Sequence, residues 1–336
     1  MTKPGKILAA DTPALFEAAV RQAADLLRAG EVVGIPTETV YGLAANALNA
    51  DAVNRIFSVK GRPAGNPIIV HVSGLEMARH CASEWPELAS KLAAAFWPGP
   101  LTMVLPRSRV IGDVITAGGS TVGIRWPRHP FVQALIVECG FPLAAPSANR
   151  SGEVSPTTAE HVLKSLGDRI SLVVDGGPAQ VGIESTVVDL TVSRPRLLRP
   201  GIIHLESLLA VVGELEGTPG IDGEPLRSPG LLMKHYSPQA RLVVWQWKDE
   251  KALKARLSTL NSQLRDVHII AHTVIPLDLE VGRVCVIPHD PEAFARAIYA
   301  EWHRCDEAGA QVIVVEAPPA TSEWDAIADR LTRASS

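Results

Sequence analysis

The residues of this 336-residue chain that could do chemistry gather in five short segments. Pro36-Thr37-Glu38-Thr39-Val40-Tyr41-Gly42-Leu43 sets two hydroxyls and a carboxylate behind an apolar run, a turn able to present Thr39 to a small ligand. Capping of the next turn by Thr37 or Thr39 is the plainer use of the same residues. Asp51–Pro63 reads as a short amphipathic helix that stops at Lys60, with Gly61 in the left-handed position beyond its end. Lys60 and Arg62 then leave the helix together, to meet an anion or, for Lys60, simply to complement the helix dipole. Asn66 and Pro67 lead into Pro-Ile-Ile-Val-His-Val, where His71 shares a face with Ile69 and is either a ligand group or a satisfied core imidazole.

The third segment runs from Ser147-Ala148-Asn149 to Glu160. Ser155 as N-cap with Pro156 at N1, or Thr157 as N-cap with Glu160 at N3, opens a helix whose free N–H groups suit an anion, unless the caps serve the helix alone. Gly182–Asp189 brings hydroxyls to the start of a strand, and Leu198-Arg199-Pro200-Gly201 places a cation before a turn. Neither a Walker motif nor a G-x-G-x-x-G fingerprint occurs, so phosphate would be held by Lys, Arg, Ser and Asn side chains and a helix N-terminus. His268 and His272 fall in a strand-like run, which sets them about 13 Å apart and discounts a shared metal.

The elements that must position these residues follow from periodicity. Helices are predicted over Thr12–Ala29, Ala52–Lys60, Glu87–Phe96, Pro130–Cys139 and Thr157–Leu166. Strands are predicted at EVVGIPT, PIIVHV, LTMVLP, TVGIRW, PLAAP, ISLVVD, STVVDLT and RLLRPG. So many strands with few helices between them imply a mixed, curved sheet in residues 1–212. Residues 213–240 are dense in Gly and Pro and read as a linker. In residues 241–336, strand-type runs alternate with helical patterns at Lys251–Leu264, Pro291–Ala308 and after Ser322, the pattern of a small, doubly wound, Rossmann-like α/β domain.

Composition narrows the class. With 46% hydrophobic and 20% charged residues the chain can bury one or two cores, and whole-chain disorder is excluded. Thirty-two Lys+Arg against 36 Asp+Glu give a net charge of −4, which creates no overall field for nucleic acid or membrane. The first ten residues lack a secretory apolar core and no run of 18 apolar residues occurs, so a cytoplasmic protein without a membrane span is expected. Cys81, Cys139, Cys285 and Cys305 are far apart, without a C-x-x-C pair, and read as reduced core thiols.

Taken together, PTETVYGL, Lys60-Gly61-Arg62 with the distant Ser147-Ala148-Asn149, FWPGPLT, GIRWP, ESTVVD and LLRPG resemble the YrdC-like family. The linker residues Ser228-Pro229-Gly230 and His235-Tyr236-Ser237-Pro238, with the extra C-terminal domain, are similar to its two-domain form; Leu231 departs from the Met that often follows Ser-Pro-Gly there. The resemblance spans essentially the whole chain. It implies a nucleotidyltransferase that joins L-threonine, bicarbonate or CO2, and ATP into threonylcarbamoyl-adenylate and diphosphate. Downstream threonylcarbamoyl-transferase proteins would use the adenylate on tRNA, beside the anticodon. It further implies threonine contacts at Thr39, His71, Arg125, the Ala145 backbone and Ser185. Nucleotide contacts are implied at Arg62, Asn66, Thr121, Ser147, Asn149, Ser155 and Arg199, with His235 or Tyr236 closing over the site. Lys60 and Arg62 would be catalytic, stabilising phosphate charge together with Mg2+ brought by ATP. Two rival functions exist for this fold, a double-stranded RNA-binding module and a carbamoyl-transfer maturation factor. The near-neutral N-terminal region disfavours the first, and the threonine-side residues disfavour the second.

Overall fold

In the computed structural model, which describes residues 5–216 and 236–335, the strand-type runs of the N-terminal region join into one ten-stranded sheet. The chain begins with β1 (Lys6–Ala9), α1 (Pro13–Arg28), β2 (Val33–Ile35), β3 (Gly42–Asn46) and α2 (Ala50–Lys60). It continues through β4 (Val70–His71), α3 (Leu75–Cys81), α4 (Glu87–Phe96), β5 (Leu101–Pro106), α5 (Asp113–Thr116) and β6 (Thr121–Arg125). Next come α6 (Pro130–Cys139), β7 (Leu143–Ala144), α7 (Ala159–Leu166), β8 (Leu172–Asp175), β9 (Thr186–Asp189), β10 (Arg196–Arg199) and α8 (Leu205–Val212). The strand order is β1-β8-β2-β3-β7-β4-β6-β5-β9-β10, with parallel and antiparallel neighbours mixed, as the sequence implied.

Side chains alternate across the sheet and sort its apolar residues into two cores. Leu43 and Ala45 of β3 join Val173 of β8 in one core with Ile56 of α2, Leu92 of α4, Val162 of α7 and Leu208 of α8. Ala44, Leu172 and Val174 point the other way, onto Ala23 and Leu27 of α1 and Phe131 and Leu135 of α6. With helices on both faces, nearly the whole sheet is buried, and a polar side chain on it is correspondingly conspicuous.

Several boundaries depart from the sequence reading. Neither Ser155 nor Thr157 caps α7: Thr158 does, its hydroxyl accepting from His161 N–H at 3.4 Å. The preceding backbone is already engaged, since Pro156 O accepts from Tyr41 N–H at 2.9 Å and Thr157 O from Ala179 N–H at 2.8 Å, so the helix starts only at Ala159. The run PIIVHV shortens to β4, because Ile68 N–H turns away to Ile115 O at 2.8 Å. Strands β1 and β3 and helices α3, α5 and α8 were not foreseen.

The second unit comprises residues 236–335 together with 152–154. Its elements are β11 (Arg241–Trp245), α9 (Glu250–Leu257), β12 (Val267–Ala271), β13 (Arg283–Val286), α10 (Pro291–Glu307), β14 (Val312–Glu316) and α11 (Asp325–Ala334). The four strands are all parallel in the order β11-β14-β12-β13. Helix α9 ends at Leu257, short of the predicted Leu264, where the Ser258 and Thr259 hydroxyls turn back onto the carbonyls of Ala255 and Arg256 at 2.8 and 2.7 Å. At the carboxyl end of the sheet the Glu316 carboxylate accepts the N–H groups of His272, Thr273 and Val274 at 2.7, 2.9 and 3.2 Å. His272 stacks on His289 rather than pairing with His268.

Candidate active site

Strand register brings the first two candidates side by side. In the parallel pair of β4 and β6, His71 stands opposite Arg125, both at strand ends and both less than 5% exposed. The turn Pro36–Tyr41 between β2 and β3 supplies their partners. Arg125 donates from Nη1 to Thr39 Oγ1 at 2.8 Å and from Nε to Gly99 O at 3.3 Å, and its Nη2 forms an ion pair with Glu38 Oε1 at 2.7 Å. Thr37 Oγ1 lies 2.9 Å from Thr39 Oγ1 and donates to Val40 O at 2.6 Å. Burial by itself would raise the Glu38 pKa, but the Arg125 guanidinium outweighs it and holds the carboxyl below its ordinary value. Burial, reinforced by the same guanidinium, pushes the His71 pKa down to about 3, so its imidazole is neutral at physiological pH.

The same turn reaches the segment before β9, where Gly182 N–H donates to Thr39 O at 3.0 Å and Val181 N–H to Glu38 O at 2.8 Å. Three residues on, the fully buried Ser185 hydroxyl lies 2.8 Å from Thr102 Oγ1 and accepts from Arg199 Nη2 at 3.1 Å. Arg199 Nε also donates to Ser185 O at 3.0 Å. A register irregularity between Leu197 and Arg199 aims this guanidinium, and Gly201 lets the next turn close, since a Cβ there would sit 2.4 Å from Thr186 N. Ser155 donates to Glu184 Oε1 at 2.6 Å.

Lys60, at the end of α2, is 3% exposed and donates from Nζ to Ser147 O at 2.6 Å and to Asn149 O. Gly61 takes φ +61° in the left-handed region, as predicted, and the chain turns so that Arg62 donates to Asn66 O and Pro67 O at 3.1 and 2.6 Å. The signature residues are therefore gathered by two buried cations that grip loop carbonyls. Asn66 is 1% exposed, and neither end of its amide has a hydrogen-bond partner among the described residues; the same is true of His71 Nδ1. Buried polar atoms are rarely left so.

The remaining candidates are placed as follows. Thr121 begins β6, and Ala145 follows β7 with its N–H donating to Ile69 O at 3.1 Å. Tyr236 packs inside the second unit, its ring 5.9 Å from that of Tyr299 and under the Arg330 guanidinium. His235 and Ser228–Gly230 lie outside the described residues. Thr102 was missed by sequence reasoning: a hydroxyl in the middle of the apolar run LTMVLP is the signal that could have found it. Glu38 was visible only as a carboxylate of unassigned role.

Buried hydroxyls, guanidinium groups and unpartnered amide and imidazole atoms are thus gathered on a helix-covered mixed sheet. Residues 25–201 match the family model described as telomere recombination, and residues 203–336 match that of the threonylcarbamoyl-AMP synthase C-terminal domain. Threonylcarbamoyl-AMP synthase of Pyrococcus abyssi is 40% identical over 319 residues, 94% of each chain, and that of Bacillus subtilis 40% over 320 residues, 94% of this chain and 92% of the relative. The solved structure of Pyrococcus abyssi Sua5 complexed with L-threonine matches with a TM-score of 0.89 at 38% identity, over 98% of this chain and 96% of that one. The chain belongs to the threonylcarbamoyl-AMP synthase family.

Proposed function

We infer that this protein makes threonylcarbamoyl-AMP and diphosphate from L-threonine, bicarbonate or CO2, and ATP, for threonylcarbamoyl-transferase proteins that modify tRNA. Within the structure, the observation that carries this reading is two buried polar clusters, Thr39 with Arg125 and Ser185 with Arg199, together with the unpartnered buried atoms of His71 and Asn66. Their chemistry divides as the two substrates require. Threonine brings a carboxylate for a guanidinium and an amine and hydroxyl for Thr39, His71, the Ala145 backbone and Ser185. ATP brings phosphates and an adenosine for Arg62, Asn66, Thr121, Ser147, Asn149, Ser155 and Arg199.

The threonine amine, as the free base, adds to CO2 to give a carbamate and loses one proton to solvent; one carbamate oxygen then attacks the α-phosphorus, and the bond to the diphosphate oxygen breaks, its electron pair leaving with diphosphate. Negative charge grows on the phosphate oxygens in that step, and Lys60, Arg62 and Arg199 are the cations suited to it. His71, with a pKa of about 3, is a hydrogen-bonding group and too weak a base to take the amine proton at neutral pH. Catalysis then rests on positioning and electrostatics. Mg2+ would arrive on the ATP phosphates and keep several of its waters. Among the described residues no helix is long and apolar enough to cross a membrane.

The direct test incubates the protein with ATP, bicarbonate and each amino acid, and follows diphosphate and AMP-linked product. Threonine-dependent product is expected; absence of product with every amino acid would overturn the reading.

A further inference from the structure

The buried hydroxyls of the turn between β2 and β3 can be assigned donor and acceptor roles by counting hydrogens. A threonine hydroxyl has one hydrogen and two lone pairs. Thr37 spends its hydrogen on Val40 O, 2.6 Å away. It therefore meets its two other neighbours as an acceptor, taking the N–H of Thr39 at 3.2 Å and, across 2.9 Å, the hydroxyl hydrogen of Thr39. Thr39 Oγ1 has now given up its hydrogen, and one of its lone pairs is filled by Arg125 Nη1 at 2.8 Å. A single lone pair is left.

Arg125 cannot reverse this direction, because a guanidinium has no acceptor. It is held in place by Gly99 O and by Glu38, whose buried carboxylate also cancels its charge. The three threonine-side neighbours Thr37, Thr39 and Glu38 are each 3% exposed or less, so no bulk water is at hand to rearrange the chain of bonds.

We propose that Thr37 is a positioning residue that makes Thr39 an acceptor-only group toward the amino-acid substrate, so that Thr39 receives an N–H of the substrate amine. This rests on the synthase reading above and deepens it. An amine that is to add to CO2 must keep its own lone pair free, and an acceptor on one of its N–H groups orients the nitrogen without touching that lone pair. A hydroxyl able to donate would instead compete for it. Thr37 thus acts through Thr39 and touches neither substrate.

The test compares wild type with Thr37→Val, which keeps the shape and removes the hydroxyl, and with Thr37→Ser, which restores it. For Thr37→Val the KM for threonine is expected to rise about tenfold, close to 1.4 kcal/mol and the scale of one hydrogen bond. The KM for ATP and the melting temperature should change little, and Thr37→Ser should return near to wild type. Should Thr37→Val fail to fold, Thr37→Ala takes its place. An unchanged threonine KM, equal losses for threonine and ATP, or no rescue by serine would each overturn the inference. If wild type itself makes no threonine-dependent adenylate, the synthase reading fails instead. L-threonine calorimetry on the wild type and Thr37→Val would then still decide the hydrogen-bond direction: loss of affinity upholds it, and equal affinity overturns it.

Discussion

Acidification from pH 7 to pH 5 should weaken the N-terminal unit through His71 in particular. His71 is buried beside Arg125, and its pKa falls from 6.5 to about 3 on folding. A histidine kept neutral by the fold lends stability that is fully present above its unfolded pKa and is lost as pH drops toward the folded one. The window is therefore 6.5 down to about 3. Between the two values each pH unit is worth up to about 1.4 kcal/mol, and the binding polynomials give a loss of roughly 2 kcal/mol at pH 5 against about 0.2 at pH 7. Glu38 shares the sign but not the window, since its lowered pKa makes its stabilisation fade only below the ordinary carboxylate range. A lowered pKa at His129, caused first by burial, adds to the wild-type loss in the same direction. Comparison with His71→Gln isolates one residue. Urea unfolding of the full chain at pH 7, 6 and 5, read by pulse proteolysis at peptides spanning 67–72 and 121–126, should show the variant losing about 2 kcal/mol less than wild type. Equal losses in the two proteins would refute a buried, neutral His71.

Three further outcomes follow from the site. Arg125→Lys keeps the charge but cannot hold Glu38, Thr39 and Gly99 O at once, so calorimetry should show threonine affinity falling more than ATP affinity; equal losses would remove Arg125 from the threonine side. Lys60→Met should lower turnover about a hundredfold, the scale of a lost charge-stabilising donor, and unchanged single-turnover rates would take Lys60 out of the chemistry. Thr158→Ala removes the observed cap of α7 and should cost about 1 kcal/mol in unfolding experiments with the ATP KM unmoved, whereas Ser155→Ala should raise that KM. The reverse pattern would restore Ser155 as the cap.

Local signals in the sequence were enough for much of the scaffold. The 3.6-residue spacing of α4 and α6 gave their limits residue for residue, and Gly61 marked the end of α2 because its positive φ is cheap only without a Cβ. The motif segments were legible as well, through hydroxyls, carboxylates and cations set at the ends of apolar runs. Two-residue strands such as β4 and β7 are too short to carry a period, and their limits were set by which backbone groups found partners across the sheet.

Tertiary structure alone decided what the polar residues do for one another. Nothing in a linear sequence ties Glu38 to Arg125, Thr102 to Ser185, or Lys60 to the carbonyls of Ser147 and Asn149; the sheet order makes those neighbours. The sequence by itself determined which chemical groups are available and where along the chain they stand, because residue type and local spacing are written there. The direction of each hydrogen bond, the charge state of His71 and the cap of α7 depend on burial and on partners far away in the chain, and those exist only once the sheet has closed between its two layers of helices.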